Sequence, residues 1–313
     1  MRFSWLIPVL LLASGVLSYS QDTTSAHMED LSADCCESSP WFGAYEAVIV
    51  QPHFPSNIAY RNTVGIDQAY SFDWELGYST RIELGHARDN DRFRVRYWLY
   101  DQDVHFNRER RDDERIVIGV VGAVANPWIE TNGALVGTHS IRFDVLDLEL
   151  SERFEHCRGY LELGAGLRYA ALTQEASWYE TEGPEELYVR HESDNVGATV
   201  FGEFARQTFL PSLELVVGVR GGILFGERSL LVLDEVDYGE FIEPHNAILP
   251  FTEIDAGINF SPNVSEHFNA TFSVGYEAQL WIDAGSAAAE YTEPPDQQNL
   301  GFTGFVCRLM ISY

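Results

Sequence analysis

The sequence predicts an all-β fold, a closed antiparallel transmembrane β-barrel of about ten strands (roughly 8–12) with short periplasmic turns and long extracellular loops. Three observations support this prediction. Ten segments alternate apolar and polar residues, their connections alternate between short and long, and the charges fall on one face of each segment. A period of two indicates strands. With 45% hydrophobic residues and no long internal apolar run, the chain is too polar for a helical membrane protein.

The alternation is clearest in the second segment, where apolar residues from Phe72 to Leu84 alternate with polar ones. In the fourth segment the phase slips near Val145 and Leu146, which predicts a β-bulge. The ten predicted strands are Trp41–Val50, Phe72–Leu84, Arg92–Tyr100, Ile141–Phe154, Tyr160–Tyr169, Val196–Arg206, Leu213–Phe225, Thr252–Phe260, Phe268–Trp281 and Leu300–Tyr313.

The connections between these strands alternate in length without exception. The short ones lie near 87–91, 155–158, 207–212 and 261–267, and the long ones span 51–71, 101–140, 170–195, 226–251 and 282–299. Outer-membrane barrels have short periplasmic turns and long extracellular loops. A soluble sandwich gives no reason for this alternation. Segments 116–124 and 230–236 leave open an extra hairpin or an inward-folded loop.

The N-terminus predicts export to the outer membrane. Arg2 precedes the apolar run Leu6–Leu17, and small residues follow before Gln21, which is typical of a secretory signal peptide. We therefore expect a signal peptide at 1–20, a disordered periplasmic lead-in at 21–40 and the barrel at 41–313. The redox state of Cys35, Cys36 and Cys157 stays open.

The charge balance argues against nucleic acid as a partner. The chain has 48 acidic residues and 20 basic ones, all arginine, for a net charge of −28. Such a field repels polyanions. The cysteines lack zinc-site spacing, and we expect no metal, no cofactor and no catalytic residues.

Charged residues of both signs occupy the polar faces of the strands and are expected to line the lumen, because a charge facing lipid is costly. The predicted lumen residues are Glu46, Glu75, Arg81, Glu83, Arg92, Arg94, Arg96, Glu162, Arg168, Glu203, Glu214, Arg220, Glu253, Glu277 and Arg308. Arg92, Arg94 and Arg96 would form a ladder facing Glu75 and Glu83 on the neighbouring strand.

The last strand places Phe305, Leu309, Ile311 and Tyr313 on its apolar face and ends the chain on an aromatic residue. We expect this strand to pair with Trp41–Val50 and close the barrel, which removes the open sheet edges. The expected partners are outer-membrane lipid and lipopolysaccharide.

Several segments resemble the Legionella-type major outer membrane protein family, and in particular planctomycete-like members. They include Trp41–Ala47, Pro52–Tyr60, Asp73–Ile82, Arg94–Asp101, Asp147–Phe154, Leu163–Ala170 and the closing strand. The resemblance implies an outer-membrane barrel that forms a pore. It also implies that the barrel assembly machinery reads the closing strand as an insertion signal.

The sequence favours the first of three functions and leaves the other two as alternatives. The first is a porin-like pore for small hydrophilic solutes or ions, with cation preference because inward carboxylates are in surplus. The second is an occluded structural or surface-binding barrel with acidic loops around 180–186, 234–243 and 290–296. The third, an omptin-like enzyme, would need His53, His105, His139, His191 or His245 to converge with carboxylates. Each of these histidines stands alone in a polar segment, so we expect no enzyme.

Overall fold

A computed structural model shows a closed antiparallel β-barrel of ten strands, which confirms the predicted fold class. It describes residues 41–62, 68–109, 116–118, 129–130, 134–181, 186–210, 212–234, 240–262, 269–288 and 298–312. The predicted signal peptide and lead-in lie outside the described residues, and so do Cys35, Cys36 and Tyr313. Within the described ranges, no helix is long and apolar enough to cross a membrane.

The described residues form fourteen strands. Their bounds are β1 (Trp41–His53), β2 (Ile58–Asn62), β3 (Gln68–Ser71), β4 (Gly77–Arg88), β5 (Asp91–Arg108), β6 (Ile116–Ile118), β7 (Ile129–Glu130), β8 (Leu135–His156), β9 (Gly159–Glu180), β10 (Glu186–Gln207), β11 (Leu213–Asp234), β12 (Glu240–Phe260), β13 (Asn269–Trp281) and β14 (Leu300–Ser312). The barrel order is β1-β14-β13-β12-β11-β10-β9-β8-β5-β4, and β2, β3, β6 and β7 form a separate small sheet.

The last strand closes the barrel, as its sequence predicts. β14 pairs antiparallel with β1 from Phe42↔Ser312 to His53↔Gly301, and its other edge pairs with β13. β1 pairs in turn with β4. The barrel strands therefore form an uninterrupted ring, in which backbone groups are satisfied by neighbouring strands.

The connections define two ends of the barrel. We call the end with the β4–β5, β8–β9, β10–β11 and β12–β13 connections the turn side, and the opposite end the loop side. In outer-membrane barrels the short turns face the periplasm. The half of the barrel nearer the turn side is called the turn-side half, and the half nearer the loop side is called the loop-side half.

Several strands extend much farther to the loop side than the sequence predicts. β8, β9, β10 and β11 have 22 residues each, whereas a transmembrane strand needs about 9–11. The predicted long loops at 170–195 and 226–251 are therefore largely strand, and the two ends of the predicted loop at 101–140 belong to β5 and β8. The alternation reverses in these extensions: in β9, Leu172 and Trp178 face inward and are buried, while Thr173 and Glu175 face outward. These extensions are not predicted as strands from the sequence, because that prediction depends on apolar residues that face outward.

The predicted bulge near Val145 and Leu146 is wrong. β8 keeps an unbroken register with both β5 and β9 through these residues. Ile141, Phe143 and Val145 all face inward and are buried. The apparent phase slip marks the level at which the barrel interior changes from charged to apolar.

The start of the second predicted strand is also wrong. β4 begins at Gly77, and residues 72–76 precede it outside the barrel wall. Phe72 and Trp74 are buried in the apolar interior instead of facing lipid.

Candidate functional site

A belt of paired charges crosses the barrel interior in the turn-side half. Its side chains occupy inward positions on nine of the ten barrel strands, all except β10, because alternate residues of a strand share one face. We define the charge belt as Arg81, Arg94, Arg96, Arg168, Arg220 and Arg308 together with Glu46, Glu83, Asp147, Glu149, Glu253 and Glu277. Its arginines and carboxylates are equal in number.

Arg168 is the most enclosed cation of the belt, with a fully buried side chain. Its guanidinium donates to both oxygens of Asp147, at 2.6 and 2.9 Å, and to Glu253. It also lies 4.1 Å from the centre of the Phe251 ring. Such Arg–carboxylate pairs, hydrogen-bonded on every side, can offset much of the cost of desolvating a buried charge.

Other pairs join strands that are not neighbours. Arg81 on β4 donates to both oxygens of Glu277 on β13, at 2.7 and 2.8 Å, and it also donates to Glu46 on the adjacent strand β1 at 2.9 Å. Arg220 on β11 reaches Glu149 on β8 at 2.8 Å. The Arg81–Glu277 and Arg220–Glu149 contacts bridge the lumen.

One ion pair spans the full width of the lumen. Arg96 Nη2 lies 3.2 Å from Glu253 Oε2 and 3.2 Å from Asp147 Oδ2. In the ring order β12 is fourth and β5 ninth, so Arg96 and Glu253 come from diametrically opposite strands. Side chains from opposite walls thus meet at the centre of the barrel, which closes the lumen at this level.

An apolar layer closes the interior a second time, on the loop side of the belt. The rings of Phe143 on β8 and Trp281 on β13, again opposite strands, have centroids 4.6 Å apart. Both side chains are fully buried. Other members of this layer are Trp98, Tyr100, Phe251, Phe302, Leu172 and Leu224.

Two loop segments cap the apolar layer. Segment 56–59 follows β1, and segment 284–288 follows β13. Ile58 N–H donates to Ala288 O at 2.8 Å and joins the two segments. The wall holds both, because Trp178 Nε1 donates to Ala59 O at 2.8 Å and Gln174 Nε2 donates to Gly285 O at 3.0 Å.

The turn side, in contrast, contains a cavity of about 140 Å³. Belt residues line its inner end, and Arg92, Arg153, Tyr160, Glu203 and Asp255 line it nearer the turns. Tyr160 donates its hydroxyl to Glu203 at 2.5 Å. The belt forms the inner wall of this cavity.

The structure places most of the predicted lumen residues on inward faces. These are Glu46, Arg81, Glu83, Arg92, Arg94, Arg96, Glu162, Arg168, Glu203, Glu214, Arg220, Glu253, Glu277 and Arg308. Glu75 does not belong with them, because it lies in the exposed segment before β4 and points away from the interior.

The predicted ladder also differs from the structure. Arg94 pairs with Glu149, and Arg92 lies 3.6 Å from Glu162. Glu83 pairs instead with Arg308, at 2.8 Å. The arginines of β5 thus contact β8, β9 and β12 rather than β4, because long side chains in a narrow barrel reach across it.

Sequence reasoning missed Asp147, Glu149 and Asp255 as lumen residues and missed the apolar layer entirely. Continuous alternation along β8 would have identified the first two. No local signal separates Phe143 or Trp281 from a lipid-facing aromatic residue, because both surfaces are apolar.

The predicted insertion-signal residues of β14 face outward. Phe305, Leu309 and Ile311 are 52%, 37% and 40% exposed. Cys307 lies on the same face and is a free thiol, as is Cys157.

The histidines of the loop side do not form a common site in the described residues. His139 and His191 belong to barrel strands and are buried inside the barrel, although the sequence places each of them in a polar segment. His53 contacts Thr303 Oγ1 at 2.7 Å, and His105 pairs with Asp103. Nothing is described of the His245 side chain. Across the described ranges, no three His, Cys, Asp or Glu residues are grouped as metal ligands.

A closed ten-stranded barrel with apolar outward faces and inward charges defines the class of outer-membrane β-barrels. The chain belongs to the family described as Legionella pneumophila major outer membrane protein precursor, whose model matches residues 34–312. The match confirms the predicted family and the outer-membrane location. No curated protein sequence matches the chain.

Three solved structures are similar to the chain at low sequence identity. The outer membrane protease OmpT from Escherichia coli has 10% identity and a TM-score of 0.42, over 88% of this chain and 96% of that one. The translocator domain of the autotransporter NalP from Neisseria meningitidis has 10% identity and a TM-score of 0.41, over 88% of each chain. The P. putida toluene transporter TodX has 7% identity and a TM-score of 0.34, over 88% and 90%. Similarity this low says nothing about the activity of this chain.

Proposed function

We propose that this protein is an occluded outer-membrane barrel, which serves as a structural element of the membrane and presents its loops at the surface. The Arg96–Glu253 contact carries the proposal, because it joins opposite walls through buried, charge-paired groups. The apolar layer above it supports the same conclusion independently. Hydrated ions would have to separate the ion pairs and then enter an apolar, closely packed layer.

The test is conductance in planar bilayers. Refolded protein that shows heat-modifiable migration on a detergent gel is expected to insert without discrete current steps, even at high protein load. Heat-unfolded protein from the same preparation is the matched control. Regular openings that only the folded sample produces would contradict the occluded barrel.

A porin-like pore for small hydrophilic solutes or ions is the second candidate, and the turn-side cavity favours it. Among the described inward side chains of the turn-side half, carboxylates outnumber arginines. They include Glu46, Glu83, Asp147, Glu149, Glu162, Glu203, Glu214, Glu253, Asp255 and Glu277 against Arg81, Arg92, Arg94, Arg96, Arg153, Arg168, Arg220 and Arg308. If the belt rearranges to conduct, the pore should prefer cations. A reversal potential that indicates anion preference would contradict this candidate.

We also propose that the protein is not an enzyme. Aromatic rings enclose the imidazole of His139, with Phe54, Phe72 and Trp74 at centroid distances of 5.2–5.6 Å. Such a histidine is not available to a substrate at the surface. Peptidase or lipase activity of the refolded protein that disappears on substitution of His53 or His105 would contradict this.

For partners, we propose outer-membrane lipid and lipopolysaccharide, with the barrel assembly machinery recognising β14. Support comes from the outward-facing Phe305, Leu309 and Ile311 on the strand that closes the barrel. Deletion of Tyr313 should impair membrane insertion more than any conductance, and normal assembly of that variant would contradict the proposal. Most of the acidic loop residues lie outside the described ranges. Calcium-dependent protection of these loops from protease would support surface binding.

A further inference from the structure

The inward face of β10 differs from the rest of the apolar layer. It carries the polar residues His191, Ser193, Asn195 and Thr199, at positions that point into the interior. The neighbouring strands place apolar residues such as Leu172 and Leu224 inward beside this row. A row of polar residues, interrupted at Gly197, therefore lies within a layer that is otherwise mostly aromatic and aliphatic. We call Ser193, Asn195 and Thr199 the β10 row.

The β10 row is buried without hydrogen-bond partners from the described protein. Ser193, Asn195 and Thr199 are 3%, 1% and 1% exposed. The Ser193 hydroxyl, both polar atoms of the Asn195 amide and the Thr199 hydroxyl make no hydrogen bond to a described protein atom. Buried polar groups are almost always satisfied by protein or by ordered water, so four such atoms in one row require an explanation.

Ser193 lies between Leu172 on β9 and Arg228 on β11, but the side chains directly beside Asn195 and Thr199 cannot supply hydrogen bonds. In the sheet register, Asn195 lies between Ala170 on β9 and Gly226 on β11. Thr199 lies between Gly166 and Gly222 on the same two strands. Alanine and glycine side chains offer neither donor nor acceptor. A small molecule that both donates and accepts is needed, and water meets both requirements.

The row runs between the loop-side cap and the turn-side cavity. Beyond its loop-side end, the His191 ring lies against Gly285 of segment 284–288, where an added Cβ would come within 2.5 Å of the imidazole. Beyond its turn-side end, Phe201 and Glu203 on the same face line the cavity. The polar row thus spans the apolar layer between the two.

We propose that the inward face of β10 binds a file of water molecules through Ser193, Asn195 and Thr199, and that water crosses the apolar layer along this file. Each site would give a water the two or more polar contacts that a buried water needs, counting its neighbours in the file. Hydrated ions are too large and too strongly solvated to follow. This inference goes beyond the proposed function, in which the barrel is closed to ions, because a barrel that is closed to ions can still pass water.

Osmotic shrinkage of proteoliposomes, followed by stopped-flow light scattering, tests the proposal. Wild-type vesicles should shrink faster than protein-free vesicles. Asn195→Leu, which keeps the approximate volume but removes both polar atoms, should lose this increment. Thr199→Val, which keeps the shape of the side chain, should reduce the increase in shrinkage rate. This variant provides the test if Asn195→Leu does not fold. The matched control is Asn259→Leu, an inward site in the wide turn-side cavity, which should keep the wild-type rate.

The outcomes separate this inference from the proposed function. A wild-type rate equal to that of protein-free vesicles, or an unchanged rate in folded Asn195→Leu and Thr199→Val, overturns the water file. Ion conductance steps in the same preparation overturn the occluded barrel. In that case the water file still stands if the two β10 variants lose water permeability relative to wild type and to Asn259→Leu.

Discussion

In the turn-side half of the barrel, apolar side chains face outward and charges face inward, whereas in the loop-side half the arrangement is reversed. A single strand shows both patterns. On β9, Leu163 and Leu167 are exposed outward beside the inward Arg168, and a few residues later Leu172 is buried inward while Glu175 faces outward. The backbone register continues unbroken through the change.

The difference shows which solvent surrounds each half of the barrel, hydrocarbon or water. An outward apolar face is stable against hydrocarbon, and its interior can hold paired charges. An outward polar face is stable in water, and its interior then behaves like the core of a soluble barrel. The strands are longer than a bilayer requires, so the loop-side half is expected to stand above the membrane. The two interiors are closed by different forces and should respond to different substitutions.

Loss of a belt cation is expected to have the largest effect. Arg168→Leu leaves Asp147 and Glu253 buried without their main counterion, and breaking such a pair costs about 3–5 kcal/mol. Urea unfolding, followed by heat-modifiable migration, measures the loss. The control is Arg142→Leu, because Arg142 is 58% exposed and pairs with Asp144 on the outer surface. That variant should lose at most about 1 kcal/mol. Equal losses of unfolding free energy in both variants would show that the charge belt is accessible to water.

Truncation in the loop-side core should have the next largest effect. Leu224→Ala removes a fully buried side chain from the apolar layer and should cost about 2–5 kcal/mol. Leu233→Ala makes the same change farther along β11, at a side chain that is 44% exposed. It should alter stability by less than about 0.5 kcal/mol. The same unfolding assay compares them, and a neutral Leu224→Ala would mean that the loop-side half lacks a packed core.

An arginine scan along the outward face of β8 locates the boundary between the halves. Leu148→Arg puts a charge at the middle of the outward Leu146–Leu150 stretch and should cost about 2–4 kcal/mol. Ser140→Arg puts the same charge on the loop-side extension and should cost about 0–1 kcal/mol. Folding titrations into lipid vesicles measure both. A comparable penalty at Ser140 would place the loop-side half in the bilayer and remove the basis of the comparison.

The sequence predicts the turn-side half well because all of its strands show the same pattern, in which the apolar residues face outward. Outward apolar residues with period two, as in Leu161, Leu163 and Leu167, identify strands, their faces and the closing pair. The loop-side extensions carry the opposite signal, so β9 appeared to end at Tyr169. At Val145 the two patterns meet, and in the sequence this inversion resembles a bulge. A period-two search that ignores polarity would have followed β8 throughout.

The residues of the belt could be predicted one by one, but their pairing could not. Alternation places Arg96 and Glu253 on inward faces. Their contact depends on the ring having ten strands, which puts β5 opposite β12. Side-chain reach across a lumen of that width is a property of the closed barrel and of no local segment. For the same reason, the partner of Glu83 is Arg308 rather than an arginine of the adjacent β5.

The smallest effect is expected where the cap joins the wall of the loop-side half. Gln174 donates to Gly285 O at 3.0 Å and accepts from Ala287 N–H at 3.3 Å, so Gln174→Met frees both backbone groups of segment 284–288. Leaving them buried and unpaired should cost about 1–3 kcal/mol. Amide hydrogen exchange should accelerate at Ala287 and stay unchanged in the belt strands, because the two interiors are held independently. Gln102→Met, which removes a bond to Tyr78 O within the wall, is the control and should leave exchange at Ala287 as in wild type. Faster exchange in the belt strands of Gln174→Met would show that cap and belt open as one unit.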